Sequence, residues 1–200
     1  NQLLDSNLIE LKTIQPYEKN ILSMCKRLYG KLQADKEATI WEADECVHLL
    51  NRFNSAAGNE LLQKMSALKN KELNNIILAD LLQNKQNVNA ELIEALAMDK
   101  EFRFYFYQSL HQKGISSFFP AQYSTQKSIA ESEIYTIAAE EDYEIESIIY
   151  LKEKVITYEG EQKRFHLFKV KINDVWQLGI AGPYNMNEKE LLIKNGEHLC

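Results

Sequence analysis

Cysteine and histidine stand two residues apart at two places in the chain, as Cys46 with His48 and as His198 with Cys200. Two thiolates and two imidazoles together are a ligand set that Zn²⁺ favours. Residues two apart on a helix point away from each other, however, and structural zinc sites space their paired ligands more widely. The sequence therefore predicts no metal ion and no other cofactor, and we expect Cys46 to be a small core residue of a helix.

The candidate bases for nucleophilic catalysis are the four histidines, His48, His111, His166 and His198. A serine or cysteine nucleophile needs a histidine beside it and an acid that orients the ring. None of the four stands in a nucleophile motif, and the sequence has no Gly-x-Ser-x-Gly. We interpret them as surface or packing residues, with His166 as a structural imidazole on the apolar side of a strand.

Seven acidic residues occur between Glu131 and Glu146 without a lysine or arginine among them. Glycoside hydrolysis uses a pair of carboxylates whose pKa values are driven apart by a cleft. The candidates for such a pair are Glu140, Glu141, Asp142, Glu144 and Glu146. A charge run of this kind is typical of a solvated surface, which is our interpretation. A small hydrolase that uses this acidic segment or the histidines is the alternative function.

A predicted hairpin from Lys152 to Lys171 follows the acidic segment and carries most of the positive charge after residue 113. Its cations are Lys152, Lys154, Lys163, Arg164, Lys169 and Lys171. Together with Glu140, Glu141 and Asp142 they are the predicted binding residues, because two surfaces of opposite sign suit docking to another domain or protein. The alternative is that the two sets of charges neutralise each other across neighbouring strands.

Aromatic side chains crowd one predicted helix, where Phe102, Phe104, Tyr105, Phe106 and Tyr107 accompany Arg103. Rings that cover most of a helix circumference indicate burial on several sides, so we expect a central helix. The alternative is a stacking platform for bases or sugars, and the acidic composition disfavours the nucleic-acid version.

The segment from Gly179 to Tyr184, GIAGPY, is the most distinctive glycine-bearing stretch of the chain. It is neither a P-loop nor Gly-x-Gly-x-x-Gly, and so it does not predict phosphate binding. We expect a strand end that turns sharply, with an unusual dihedral angle at Gly182 and with Pro183 ending the hydrogen-bond ladder.

The first half of the chain has the apolar spacing of helices. Two stripes recur three and four residues apart: Ile21, Leu22, Cys25, Leu28, Tyr29 and Leu32, and then Ile40, Ala43, Val47, Leu50 and Phe53. Pro16 suits the start of the first helix. Two shorter helices are predicted at 60–68 and 72–82, and a fifth near 90–112. Short polar loops between them indicate antiparallel neighbours.

The second half of the chain changes to the period of strands. One more helix is predicted at 128–139, and strands are predicted at 148–158, 163–172 and 175–181, with a tight turn at Asn173 and Asp174. The predicted fold class is therefore α+β. It has an antiparallel array of about five helices (1–113), a connector with the acidic segment and a possible helix (114–147), and a small antiparallel β-sheet (148–200) packed on the last helices. Since three strands need cover, we expect residues 16–112 and the strands to share one core through the aromatic helix.

Two short segments of the helical half are similar, Asn59-Glu60-Leu61-Leu62 and Ala90-Glu91-Leu92-Ile93, about 31 residues apart. With these segments and with its helix lengths and loop spacing, the region 16–112 resembles HEAT-like helical repeats, in which paired helices stack into a solenoid. The resemblance implies a protein-binding scaffold. A non-repeating helical bundle is the alternative.

Composition and charge narrow the class of protein further. Hydrophobic residues make up 45% and charged residues 26% of the 200, which is typical of a soluble globular protein and excludes wholesale disorder. The net charge of −6 disfavours nucleic acid as a partner, and no apolar run approaches the ~20 residues of a membrane span. Three scattered cysteines favour a reducing compartment, so we expect a cytoplasmic protein.

The chain begins at Asn1 without a methionine, and we expect it to be a processed product or a piece of a longer protein, from which a targeting segment could have been removed. Together these patterns predict a non-catalytic protein-interaction or accessory domain. Its expected partner is another protein or other domains of the same chain.

Overall fold

The computed structural model describes residues 10–34, 40–68 and 70–192, with the side chains of residues 40, 41 and 140 left out of that description. Within these ranges seven helices precede a three-stranded antiparallel sheet, which confirms the predicted α+β class. The helices are α1 (Glu18–Ala34), α2 (Ile40–Phe53), α3 (Ala56–Ser66), α4 (Lys71–Gln83), α5 (Ala90–Met98), α6 (Arg103–Gln112) and α7 (Gln126–Glu140). The strands are β1 (Ile145–Tyr158), β2 (Glu161–Ile172) and β3 (Val175–Tyr184).

Short helical turns complete the described secondary structure. One turn, Leu11–Ile14, and a 3₁₀ turn that contains Pro16, Gln15–Tyr17, lead into α1, and two more 3₁₀ turns, Ser116–Phe118 and Ala121–Tyr123, lie between α6 and α7. Three helices begin at side-chain caps: Ser55, Asn70 and Thr125 accept the backbone N–H of the residue three positions on. These caps satisfy N–H groups that a helix start leaves without an intrahelical partner.

The chain divides into two compact units, residues 1–96 and residues 97–200. The predicted helical region 1–113 extends across this division, and α6 belongs to the second unit. The predicted connector 114–147 contains the whole of α7 and the first residues of β1, which begins at Ile145. The described part of residues 97–200 thus contains α6, α7 and all three strands of the sheet.

The core of the first unit confirms both predicted helical stripes. Cys25, Leu28 and Leu32 of α1 are buried, and so are Val47 and Leu50 of α2. Helix α2 packs against α1 and α4, and α4 packs against α3. Apolar positions three and four residues apart meet on one side of each helix, as the periodicity requires.

The predicted fifth helix near 90–112 is wrong in one respect, because the structure has two helices there. The break lies at residues 99–102, where the Asp99 carboxylate accepts the backbone N–H of Glu101 at 2.9 Å. Such a local side-chain bond competes with helix continuation. The second of the two helices, α6, is the aromatic helix: Phe104, Phe106 and Tyr107 are buried, whereas Tyr105 is exposed.

Helix α7 connects α6 with the sheet inside the second unit. The Ser132 hydroxyl of α7 accepts the backbone N–H of Phe104 at 2.8 Å and donates to the carbonyl oxygen of Lys100. On the sheet side, Ala130 and Ile134 pack with Phe168 and Val170 of β2 in the core of this unit. The three strands are therefore covered on one face by α7, and α7 is itself held by a hydrogen bond to the start of α6.

The sheet has the order β1-β2-β3 with both neighbours antiparallel. Its two turns are the residue pairs Glu159–Gly160 and Asn173–Asp174, and all four residues have positive φ. Two-residue turns of this conformation match the twist of antiparallel strands. The predicted turn at Asn173 and Asp174 is confirmed.

The glycine-bearing segment near the end of β3 has the predicted unusual backbone. Gly182 has a φ of +138°, and the peptide bond to Pro183 is cis. The expectation that Pro183 ends the ladder is wrong, because Tyr184 pairs with Arg164 beyond an irregularity in the β2–β3 register. A register irregularity takes up the residues that cannot pair, and the ladder resumes after it.

Candidate functional site

The two faces of the sheet have different surroundings. On the inner face, Phe168 and Val170 pack on α7, and their neighbour Gly179 lies so close to this helix that an added Cβ would be 3.3 Å from Ile134 Cδ1 and 2.8 Å from Val170 Cγ2. Side chains alternate between faces along a strand, so the residues on either side of Gly179 point away from α7. We call the face that packs on α7 the inner face of the sheet, and the face that points away from α7 the outer face.

The outer face carries a cluster of exposed apolar side chains around one lysine. Lys169 of β2 lies between Ile149 of β1 and Leu178 of β3 in the register, and cross-strand neighbours share a face. We call the cluster the outer patch; its members are Ile149, Leu151, Lys169, Trp176, Leu178 and Ile180. The exposed fractions of the apolar members range from 40% for Trp176 to 58% for Leu178. Contiguous apolar surface of this kind marks interaction sites.

The centre of the outer patch is a shallow hollow of about 220 Å³. Leu151, Lys169, Trp176 and Leu178 line it, and the Lys169 ammonium lies 4.5 Å from the centre of the Trp176 ring. An ammonium over an indole face is a favourable cation–π contact. It holds the aromatic ring and the charge side by side on the sheet.

The edge of the sheet beside the outer patch is formed by β3, whose sequence VWQLGIAGPY contains no charged residue. The two-residue turn makes Ile172 and Val175 a hydrogen-bonded pair, and such pairs alternate along antiparallel strands. Val175, Gln177 and Gly179 therefore direct their backbone groups toward β2. Trp176, Leu178 and Ile180 direct theirs toward the free edge, the side of β3 on which no other strand of the described residues pairs with it.

The predicted basic residues do not form one binding surface. Lys152 and Lys154 are exposed and Lys169 belongs to the outer patch, but the other three are held within the unit. Lys171 contacts Glu146 at 2.7 Å and Asp174 at 2.6 Å, and Lys163 contacts Glu161 at 2.7 Å.

Arg164 is buried and acts within the fold. Its Nη1 donates to Gln126 Oε1 at 3.1 Å and to Glu188 Oε1 at 3.0 Å, and Glu153 lies 3.7 Å from its Nε. Gln126 in turn donates to the carbonyl oxygens of Asn185, Asn187 and Glu190. Arg164 and Gln126 thus anchor the segment that follows β3.

The acidic run from Glu131 to Glu146 divides among different surroundings. Glu131 pairs with Lys100 at 2.9 Å, and buried Glu133 accepts the Tyr184 hydroxyl at 2.6 Å. Glu141 and Asp142 are exposed, whereas the side chain of Glu140 lies outside the described residues. The pair Glu146–Lys171 joins this run to the hairpin by a contact that neutralises both charges. The hydrogen bond that the Lys171 ammonium donates to Glu146 lowers the pKa of Glu146, and so does the hydrogen bond from the backbone N–H of Asp174.

The histidines have structural surroundings where the structure describes them. His166 is 2% exposed, stands between the rings of Tyr150 and Tyr184, and has no hydrogen-bond partner for either ring nitrogen among the described residues. Burial lowers its pKa to about 4. His48 pairs with Asp44 at 3.2 Å, while His198 lies outside the described residues.

His111 is the histidine that comes nearest to a catalytic arrangement. Its Nδ1 lies 3.5 Å from the Ser116 hydroxyl on an exposed surface, and its ring stacks on Tyr107. A nucleophile and its base are normally ~2.6–3.2 Å apart, and an acid orients the base. No hydrogen bond or ion pair to a carboxylate orients His111 in the described part of the chain.

Cys25 and Cys46 form a buried pair of free thiols between α1 and α2. Their mutual hydrogen bond, followed by burial, raises the pKa of Cys25 far above its ordinary range, and it lowers the pKa of Cys46. Over the described residues no three histidine, cysteine or acidic side chains come together as metal ligands, and Cys200 falls outside them. Cys46 is a small residue of the helical core, as predicted.

Sequence reasoning found Lys169 but missed the apolar members of the outer patch. The alternation in β3 was the available signal, because Trp176, Leu178 and Ile180 alternate with Gln177, Gly179 and Ala181. Apolar residues at every second position normally indicate the core face. Here Gly179 and Ala181 face the core instead, and α7 approaches closely at Gly179.

No protein-family model, no curated protein and no solved structure matches this chain. None of the helices in the described ranges has both the length and the apolar character needed to cross a bilayer.

Proposed function

We propose that this chain is a non-catalytic protein-interaction domain that binds its partner through the outer patch. The observation that carries the proposal is the position of Trp176, Leu178 and Ile180, which are 40–58% exposed on a strand that also forms the sheet edge. Burying such side chains in a partner is favourable by roughly 25 cal/mol per Å² of apolar surface. Tryptophan is also one of the residue types most enriched in interface hot spots.

The charges of the outer face indicate the chemistry of the partner surface. Lys152 and Lys169 both lie on it, since Lys152 is opposite Leu167 and Lys169 is opposite Leu178. Neither lysine has an ion pair with a carboxylate among the described residues. A positive, apolar face on a chain of net charge −6 favours a partner surface that is apolar and acidic.

The hydrolase alternative has weaker support. His166 is enclosed by aromatic rings, and Ser116 lies at the limit of contact with His111. Glu141, Asp142 and Glu144 stand exposed on the surface, whereas the carboxylate pair of a glycoside hydrolase works inside a cleft. These surroundings favour binding over hydrolysis.

The test compares wild type with Leu178→Ser in capturing a partner under identical conditions. A protein retained by wild type is purified, and its dissociation constant for both chains is measured by calorimetry. We expect Leu178→Ser to weaken binding about tenfold or more, because a central apolar contact is lost. The substitution removes an exposed side chain and leaves the fold intact.

Met98→Ser is the matched control, since Met98 is 60% exposed and lies outside the outer patch. We expect its affinity to equal that of wild type. Equal affinities for wild type and Leu178→Ser would contradict the proposed function, as would a loss of affinity in Met98→Ser alone.

A further inference from the structure

We propose that the free edge of β3 accepts an extended, apolar and acidic segment of the partner protein as a fourth strand of the sheet. This inference rests on the proposed function and adds the mode of binding and the chemistry of the partner. Strand addition of this kind takes its affinity from main-chain hydrogen bonds and its specificity from alternate side chains.

The backbone of β3 supplies the hydrogen-bonding groups. Starting from the hydrogen-bonded pair Ile172–Val175, the N–H and C=O groups of Trp176, Leu178 and Ile180 point away from β2. They form a row of three donors and three acceptors at the spacing of one incoming strand. Beyond Ile180 the residues Ala181 to Tyr184 are buried, and so the accessible edge ends there.

The two edges of the sheet differ in their protection against strand addition. The segment of β1 beyond its register irregularity carries Lys152, Glu153 and Lys154, and charges and irregular register are devices that prevent edge pairing. The accessible part of β3 has neither a charge nor a register irregularity from Val175 to Ile180. An edge left open in this way is suited to pairing with another chain.

The side chains beside this edge define the chemistry of the incoming strand. The partner residues opposite Trp176, Leu178 and Ile180 lie on the outer face, where aliphatic or aromatic side chains would extend the apolar row. Lys169 is one strand away from the edge at the level of Leu178. An acidic side chain at that level would reach an ammonium that has no carboxylate partner in the described structure.

A second copy of this chain is a poorer occupant. Each partner in a standard stable interface buries roughly 800 Å². The exposed apolar residues along the accessible β3 edge are Val175, Trp176, Leu178 and Ile180, whereas each side of a standard interface has roughly 20–30 residues. A second β3 would also bring no acidic side chain to Lys169, because its sequence has no charged residue, whereas a segment of another protein can supply one.

The first measurement is amide hydrogen exchange of the free 200-residue chain by NMR, at two concentrations. We expect slow exchange at Gln177 and Gly179 and fast exchange at Trp176, Leu178 and Ile180. Protection of these three amides in the dilute protein would overturn the proposal, because other residues of the chain would then cover the edge. Protection that rises with concentration, together with a dimeric mass, would assign the edge to a second copy and also overturn it.

The second measurement adds a probe, an acetylated nine-residue peptide with valine, glutamate and valine at alternate central positions, separated by threonines. At millimolar concentration we expect it to protect the amides of Trp176, Leu178 and Ile180 and to shift their signals. The peptide with lysine in place of glutamate should bind about two- to fivefold more weakly at low salt. Absence of any shift in β3, or equal binding of both peptides, would overturn the proposal.

A peptide N-methylated at the residues that pair with β3 keeps the side chains and removes the donors. We expect its affinity to be at least tenfold lower than that of the unmethylated peptide, and equal affinity of both forms would overturn strand addition.

Leu178→Pro removes one edge N–H from the protein, with Leu178→Ala as its control, and proline is tolerated on an edge strand. If the captured partner is lost equally by Leu178→Pro and Leu178→Ala, the proposed function stands and strand addition fails. If it binds both variants as it binds wild type, both fail.

Discussion

At the scale of single residues, His166 shows how burial sets a charge state. The ring is enclosed by Tyr150 and Tyr184, with both nitrogens unpartnered among the described residues, and this burial lowers its pKa from the ordinary 6.5 to about 4. Protonation of the ring in this place would bury a charge, and neither ring nitrogen has a hydrogen-bond acceptor among the described residues to compensate for the lost water. The neutral imidazole is therefore part of the folded state.

The pH dependence of stability follows from this difference in pKa. Between pH 6.5 and 4 the unfolded chain binds a proton at His166 that the folded chain does not, so stability falls as the pH falls through this range. We expect the free energy of unfolding of wild type to drop by up to about 3 kcal/mol more than that of His166→Phe. Urea unfolding of both proteins at several pH values, followed by NMR signals of β2, measures this. The same pH dependence in both proteins would contradict it.

Gly179 is the residue that lets α7 approach β3. A methyl group there would meet Val170 Cγ2 at 2.8 Å and Ile134 Cδ1 at 3.3 Å. We expect Gly179→Ala to lower the free energy of unfolding by about 1–3 kcal/mol, through overpacking. The comparison is Gly30→Ala in α1, where nothing lies within 4 Å and alanine should raise stability by about 0.5–1 kcal/mol. Urea denaturation gives both values, and a neutral Gly179→Ala would refute the close approach.

At the scale of elements, Arg103 of α6 joins two other segments of the second unit. Its Nε donates to the carbonyl of Ala97 at 2.7 Å, Nη2 to that of Met98 at 2.9 Å and Nη1 to that of Ser128 at 3.1 Å. Glu131 lies 3.4 Å from the same Nη1. The guanidinium fork thereby connects Ala97 and Met98 and the start of α6 with α7.

Replacing Arg103 by lysine keeps the positive charge and removes the guanidinium group, so it tests the contribution of the several N–H donors separately from that of the charge. One ammonium cannot reach three carbonyls that lie in different directions, so buried acceptors lose their donors. We expect Arg103→Lys to cost about 2–4 kcal/mol of unfolding free energy. The matched Arg27→Lys, on the exposed side of α1, should change it by less than about 0.5 kcal/mol. Chemical denaturation distinguishes the two, and equal small effects would show that charge alone matters at Arg103.

The elements also show what the sequence could predict. The stripes through Leu28 and Val47 and the turn at Asn173 depend on local patterns, and the structure has them. The burial of Arg103 and of Arg164 depends on partners far along the chain, such as Ser128 and Gln126, which no local pattern reveals. The outer patch escaped prediction for the same reason, because the close approach of α7 at Gly179 decides which face of β3 is inside. The resemblance of 16–112 to HEAT-like repeats stays a prediction.

At the scale of the whole molecule, the division after Leu96 defines what should fold alone. Residues 97–200 retain α6, α7 and the sheet, together with the Ala97 and Met98 carbonyls that accept from Arg103. Residues 114–200 lack α6, and with it the Phe104 N–H that Ser132 accepts. Buried side chains of α7 would then face water, and Ser132 would lose both of its backbone partners.

We therefore expect the fragment 97–200 to give a dispersed proton NMR spectrum and a cooperative urea transition. The fragment 114–200 should give neither, because a small sheet needs cover on one face and its covering helix would lack its own support. A poorly dispersed spectrum of 97–200 would contradict this expectation and favour a single core that the strands share with all of residues 16–112. A dispersed spectrum of 114–200 would instead show that α7 and the three strands are sufficient and that α6 only adds stability.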